Sequence, residues 1–151
     1  MADMSGVIRV PPAAVWATLS DGWLYAIWVV GTSKIRSVDA DFPARGSRIH
    51  HAVGLWPLLL EDESQVLECL PEQRLTMQAR GWPAGEATTS VDLTAVGTGT
   101  RVRLFETPTK GPGAWVNNPL AEAVLARRLA EMLDRLTLLV EGRATGAASR
   151  G

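Results

Sequence analysis

The sequence predicts an α+β fold: a seven-stranded antiparallel sheet wrapped around one long C-terminal helix, with two short helices after the first strand. Three observations predict it. The hydrophobic period changes from helical to two near Lys34 and stays near two as far as Glu106. The strand segments follow one another on short turns, which favours antiparallel pairing. An apolar stripe from Ala121 to Val140 recurs at helical spacing, and it is the one element large enough to cover the apolar face of such a sheet.

Each element has its own warrant. Val7-Ile8-Arg9-Val10 reads as a short strand. Pro11-Pro12 stops it, and Pro12 suits the first helical position because its missing N–H would be unpaired there anyway. Ala13 to Leu19 forms a helix with Val15, Trp16 and Leu19 on one face. Ser20-Asp21-Gly22 turns the chain, and Trp23 to Val30 forms a second short helix that Gly31 terminates. Lys34 to Asp41 is a strand of imperfect phase, marked by Ile35 and Val38. Arg48 to Leu55 alternates cleanly, with Ile49, His51, Val53 and Leu55 on one face and His50 on the other. Leu58 to Leu70 holds a fourth strand whose acidic stretch Glu61-Asp62-Glu63 blurs the phase and predicts a bulge there.

Arg74 to Arg80 follows, with Leu75, Met77 and Ala79 aligned. Glu86 to Val96 aligns Ala87, Thr89, Val91, Leu93 and Ala95. Gly97-Thr98-Gly99 is a tight hairpin connection, not a phosphate loop, because no helix follows it. Thr100 to Glu106 places Val102, Leu104 and Glu106 on one face, and Pro108 to Gly113 reads as loop. Asn118-Pro119 starts the long helix, with Asn as N-cap, and Gly142 ends it near Glu141. Arg127, Glu131 and Asp134 lie opposite the apolar stripe, whereas Leu120 and Leu138 fall on the polar side. Residues 5–143 thus form one domain, and 144–151 read as a disordered tail.

Composition narrows the function. With 151 residues, 46% hydrophobic and 21% charged, the chain is long enough for one core without staples. A formal net charge of −1 argues against an electrostatic nucleic-acid binder. The one cysteine, Cys69, reads as a small apolar filler without a base beside it. No Cys/His motif points to a metal, and none is expected. The N-terminus lacks the pattern of a signal peptide and no apolar run approaches the roughly 20 residues of a membrane span, so a cytoplasmic location is expected. Arginine outnumbers lysine 13 to 2, a bias associated with GC-rich bacterial genomes. Six Trp stand against two Phe and one Tyr, so several indoles are expected at a cavity or its mouth.

The element order resembles that of the START-like helix-grip superfamily, SRPBCC, in its polyketide cyclase/dehydrase-type branch. The residues that carry the resemblance run from Pro11-Pro12-Ala13-Ala14-Val15-Trp16 through Trp28 before Gly31, Gly46-Ser47-Arg48 and Val66-Leu67-Glu68. They continue with Pro71-Glu72-Gln73-Arg74-Leu75, Gly99-Thr100-Arg101-Val102 and the closing amphipathic helix. The resemblance implies a deep, mostly apolar cavity for lipids, polyketides or other hydrophobic molecules. It carries no universal catalytic set.

The candidate site follows from strand phase and the Trp positions. A cavity of roughly 300–1,000 Å³ is expected between helix and sheet, bordered by Trp23, Trp28, His51, Met77, Glu106 and Trp115. Trp23 and Trp28 are five apart, so one of them forms the rim. His51 suits general acid/base work by its ordinary pKa, and Glu106 is a carboxylate among apolar neighbours; the two are the tentative catalytic pair. Arg74, Arg80, Arg101 and Arg103 fall mostly on the opposite, solvated face.

Three functions stay open. The first is a binding protein for a hydrophobic small molecule, working without a cofactor as a monomer or homodimer. The second is a polyketide cyclase or dehydratase using His51 and Glu106. The third is a protein-interaction module without ligand, which a collapsed interior would favour.

Overall fold

The computed structural model describes residues 2–53, 60–81, 85–110 and 119–149. One sheet carries the whole architecture. Its strands are β1 (Ala2–Ile8), β2 (Thr32–Val38), β3 (Arg48–Val53), β4 (Leu60–Leu70), β5 (Arg74–Gly81), β6 (Gly85–Val96) and β7 (Gly99–Lys110). They lie in the order β1-β7-β6-β5-β4-β3-β2, every neighbouring pair antiparallel. Only β1 breaks the sequential order, crossing to pair with β7. Helices α1 (Pro12–Leu19) and α2 (Tyr25–Trp28) fill that crossover, and α3 (Pro119–Ser149) lies on the concave face.

The concave face can be read off the register. His51 on β3 faces Asp62 and Ile49 faces Ser64. Val66 faces Met77, Met77 faces Thr89, and Thr89 faces Glu106. Because side chains alternate across a strand, these residues and their i±2 neighbours share one side. Ile49, Val66, Leu75, Val91, Val102 and Leu104 on that side are all buried. They meet Leu129, Met132, Leu136 and Val140 of α3, each buried as well. Gly6 of β1 points the same way; a Cβ there would stand 3.1 Å from the Leu133 side chain, so the missing side chain lets α3 lie close to β1. Gly97 takes φ +59 in the two-residue connection between β6 and β7, a conformation that its lack of a Cβ permits.

The convex face is polar. Arg74 binds Asp92 through Nε at 2.7 Å, and Arg103 binds Asp3. Arg80 pairs with Glu86 and Glu63. His50 sits on this face beside Asp39 and Glu63. Cys69 is free and half-buried, and burial pushes its thiol up.

Several boundaries differ from the sequence expectation. β1 begins at Ala2, because its inward residues Ala2, Met4 and Gly6 pair along β7 although they make a weak apolar pattern. The second short helix is split: Asp21 accepts a bond from Trp23 N at 3.2 Å and caps a 3₁₀ turn over Gly22–Leu24, and α2 begins only at Tyr25. The imperfect phase of β2 is caused by two register shifts against β3. The bulge in β4 lies between Val66 and Glu68, not at the acidic stretch. β7 continues to Lys110, since Thr107 and Pro108 still pair with β6. α3 does not stop at Gly142; it runs to Ser149 despite Gly142 and Gly146, with Ala144, Ala147 and Ala148 favouring the helix, so the expected tail is helical over most of its length.

Candidate functional site

Two polar sets interrupt the apolar interior. The first joins α2, β3 and β4. His51 is 1% exposed, and its Nε2 lies 2.8 Å from Ser64 Oγ. The Tyr25 hydroxyl reaches the same Ser64 Oγ at 3.5 Å. The Tyr25 ring stacks on the His51 imidazole, with centroids 6.0 Å apart and planes 15° from parallel. It also makes a T-shaped contact with Trp28, with centroids 5.7 Å apart. His51 Nδ1 is buried and has no hydrogen-bond partner among the described residues. Burial lowers the His51 pKa from its ordinary value and favours the neutral ring, while the nearby Asp62 opposes that shift. Burial likewise raises the Tyr25 phenol, keeping it protonated.

The second set joins β7, α3 and the chain after α2. The Arg128 guanidinium makes an ion pair with Glu106 through Nη1 and donates through Nε to the Val30 carbonyl at 3.1 Å. Glu106 is 5% exposed, and its inward phase on β7 puts it among Leu104, Thr89 and Ala2. A carboxylate there needs a cation, and Arg128 supplies it from one turn before the buried Met132. Tyr25 connects the two sets: it bonds to Ser64 and lies within electrostatic reach of both Arg128 and Glu106.

The expected residues therefore separate. Trp28, His51, Met77 and Glu106 all turn inward and are buried. Trp23 does not border the interior. It is 58% exposed and lines an open surface groove of about 360 Å³ with Asp21, Val38, Asp39 and Phe42, because the 3₁₀ turn rotates it away from Trp28. Trp115 lies outside the described residues. His51 and Glu106 do not form a pair. Three strands intervene between β3 and β7, and each residue has a different partner.

The described residues border one cavity between sheet and helix. It is partly open and holds about 10 Å³, room for roughly one water. Tyr25, Trp28, Met77 and Met132 border it and fill the volume with their side chains, with Leu75, Thr89 and Val91 on the sheet side. The residues missed by sequence reasoning are Tyr25, Ser64 and Arg128. Ser64 shares the inward phase of Val66, Tyr25 lies one helical turn before Trp28, and Arg128 lies one turn after Leu125. These were the available signals.

Among the described residues, no group of three His, Cys, Asp or Glu side chains is arranged to hold a metal ion. No helix among them is long and apolar enough to cross a membrane.

Comparison with known proteins places this geometry in context. A family model described as "Polyketide cyclase / dehydrase and lipid transport" matches residues 2–141. No curated protein matches the sequence. Among solved structures, protein NE0264 from Nitrosomonas europaea superposes with a TM-score of 0.70 at 20% identity, covering 95% of this chain and 96% of that one. TTHA0849 from Thermus thermophilus gives 0.68 at 18% identity, covering 94% and 97%. Ara h 8.0201 gives 0.69 at 12% identity, covering 93% and 96%. At these identities the likeness concerns the fold alone, and that fold is the helix-grip.

Proposed function

Because the chain belongs to the polyketide cyclase / dehydrase and lipid transport family, we propose that it binds a hydrophobic small molecule between the concave sheet face and α3. One observation carries this reading beyond the family. An interior lined by Trp28, Leu75, Met77, Val91 and Met132 also holds Tyr25, Ser64 and His51, with a buried nitrogen left unpaired. A core built only for stability satisfies such a group or dispenses with it; a binding site keeps apolar walls with a few convergent polar groups. In this reading a ligand that enters the cavity beside Tyr25 displaces Trp28, Met77 or Met132 side chains, and flexible Met side chains adapt well to that.

A second reading, an acid/base enzyme, draws on the same imidazole. His51 is biased toward neutrality and hydrogen-bonded to a serine, as a proton acceptor requires. In that reading the partner is the Tyr25–Ser64 side and not Glu106, which Arg128 engages. Native mass spectrometry of the protein as purified tests the binding reading through a retained small molecule. Titration with a neutral apolar fluorophore tests it directly. Absence of both a retained molecule and saturable fluorophore binding would reject it in favour of an interaction module. The exposed Leu120, Val124 and Leu138 of α3 would then be the surface to examine.

A further inference from the structure

The Tyr25–Ser64–His51 chain contains a counting constraint. Tyrosine and serine each own one hydroxyl proton, and a neutral imidazole owns one N–H. Three donor protons thus serve two internal contacts, Tyr25 to Ser64 and Ser64 to His51 Nε2. One proton is always left over. If the contacts run from Tyr25 through Ser64 to Nε2, the surplus proton sits on Nδ1, which is buried without a partner. If both outer groups donate to Ser64, the surplus is the serine's. If the contacts run from Nε2–H through Ser64 to the Tyr25 oxygen, the surplus is the Tyr25 hydroxyl proton. Nδ1 is then a bare lone pair. Of the three residues only Tyr25 borders the cavity.

We propose that Tyr25 is the polar anchor of the interior, donating its hydroxyl proton to the carbonyl oxygen of a neutral apolar ligand, with Ser64 and His51 setting the direction of that donation. The inference deepens the ligand-binding reading and depends on it. A carbonyl accepts without bringing a donor of its own, so it closes the count. A ligand hydroxyl would add a fourth donor and leave a surplus again. Charge makes the same selection. Glu106 and Arg128 neutralise each other, and burial favours the uncharged form of His51. A ligand carboxylate would therefore lose its hydration without meeting an unpaired cation among the described residues. The surplus donor is a polar feature of this cavity that a ligand can satisfy, and leaving it unsatisfied is costly.

The test uses three probes on one ring system: 2-ethylnaphthalene, 2-acetylnaphthalene and 2-naphthoate. Each is titrated calorimetrically into the wild-type protein and Tyr25→Phe. The ketone is expected to bind about threefold to tenfold tighter than the hydrocarbon of the same shape, the range that one net hydrogen bond supplies. Naphthoate is expected not to compete. In Tyr25→Phe the advantage of the ketone disappears while hydrocarbon affinity stays. A second readout is independent of affinity: the ¹⁵N shifts of His51 move toward the Nε2–H tautomer on binding the ketone and not on binding the hydrocarbon. This readout in the wild-type protein decides the matter if Tyr25→Phe does not fold. Equal affinity for ketone and hydrocarbon, tighter binding of naphthoate, or an unmoved His51 tautomer overturns the inference and leaves the binding reading standing. If neither neutral probe binds, the binding reading fails and takes this inference with it.

Discussion

Arg128→Met leaves the Glu106 carboxylate, 5% exposed, without its cation. Removing one partner of a fully buried ion pair costs about 3–5 kcal/mol. The Arg128 side chain is 29% exposed, so solvent screens the pair in part and the expected loss falls to about 2–3 kcal/mol. The bond from Arg128 Nε to the Val30 carbonyl is lost as well, at about 1 kcal/mol. Methionine keeps much of the apolar stem, so little packing is lost. For a domain of this length 1 kcal/mol moves the melting temperature by about 2–4 °C, which gives a drop of roughly 6–16 °C. The same arithmetic predicts partial rescue. Arg128→Met with Glu106→Gln removes the uncompensated charge, so the double variant should recover more than half of the loss despite carrying two substitutions. Thermal unfolding followed by circular dichroism, with urea midpoints as a check, measures all three proteins. A silent Arg128→Met, or a double variant no more stable than the single one, would refute the claim that this pair is a buried, mutually dependent unit.

Other outcomes follow from the same structure. Leu129→Asp puts an unpaired charge at a fully buried position of α3 and should cost several kcal/mol, about enough to unfold the domain, whereas Arg127→Asp on the exposed face should stay within about 0.5 kcal/mol; equal melting temperatures would contradict the facing of the helix. Burial lowers the His51 pKa, so the unfolded chain takes up its proton first as pH falls through about 6.5. His51 therefore makes stability decline below that pH, with its contribution levelling off once the folded protein is protonated too. Urea midpoints from pH 8 to pH 5 should accordingly be flatter for His51→Gln than for the wild type. Met77→Trp adds bulk to the wall of the cavity and should weaken binding of a neutral apolar fluorophore by about tenfold or more; unchanged affinity would place the ligand elsewhere.

What was legible in the sequence is what depends on local period. A strand alternates every two residues wherever it lies, so the inward facing of Ile49 and His51, of Leu75 and Met77, and of Leu104 and Glu106 could be read before any pairing was known. The stripe through Leu129, Met132, Leu136 and Val140 was legible for the same reason at the helical period. Weak apolar patterns defeated that reading. β1 starts with Ala2, Met4 and Gly6, and its strand character comes from pairing with β7, a hundred residues away.

The partners of the polar groups could not be read this way. Glu106 was recognisable as a carboxylate in an apolar phase, but its cation is on α3, whose rotation against the sheet is set by packing at Gly6 and Leu133. His51 was recognisable as an inward imidazole, yet its partner proved to be Ser64 on the next strand, with Tyr25 reaching in from α2. Trp23 and Trp28 were separated by the cap that Asp21 places on a 3₁₀ turn, which the helical period does not anticipate. The volume of the cavity beside Tyr25 is the most tertiary property of all. It is the small remainder after Tyr25, Trp28, Met77 and Met132 have packed from three elements, and only their relative placement decides it. Period and composition act over a few residues and so are written along the chain. Hydrogen-bond partners and cavity size depend on twist, register and the docking of distant elements, which the chain specifies only once it has folded.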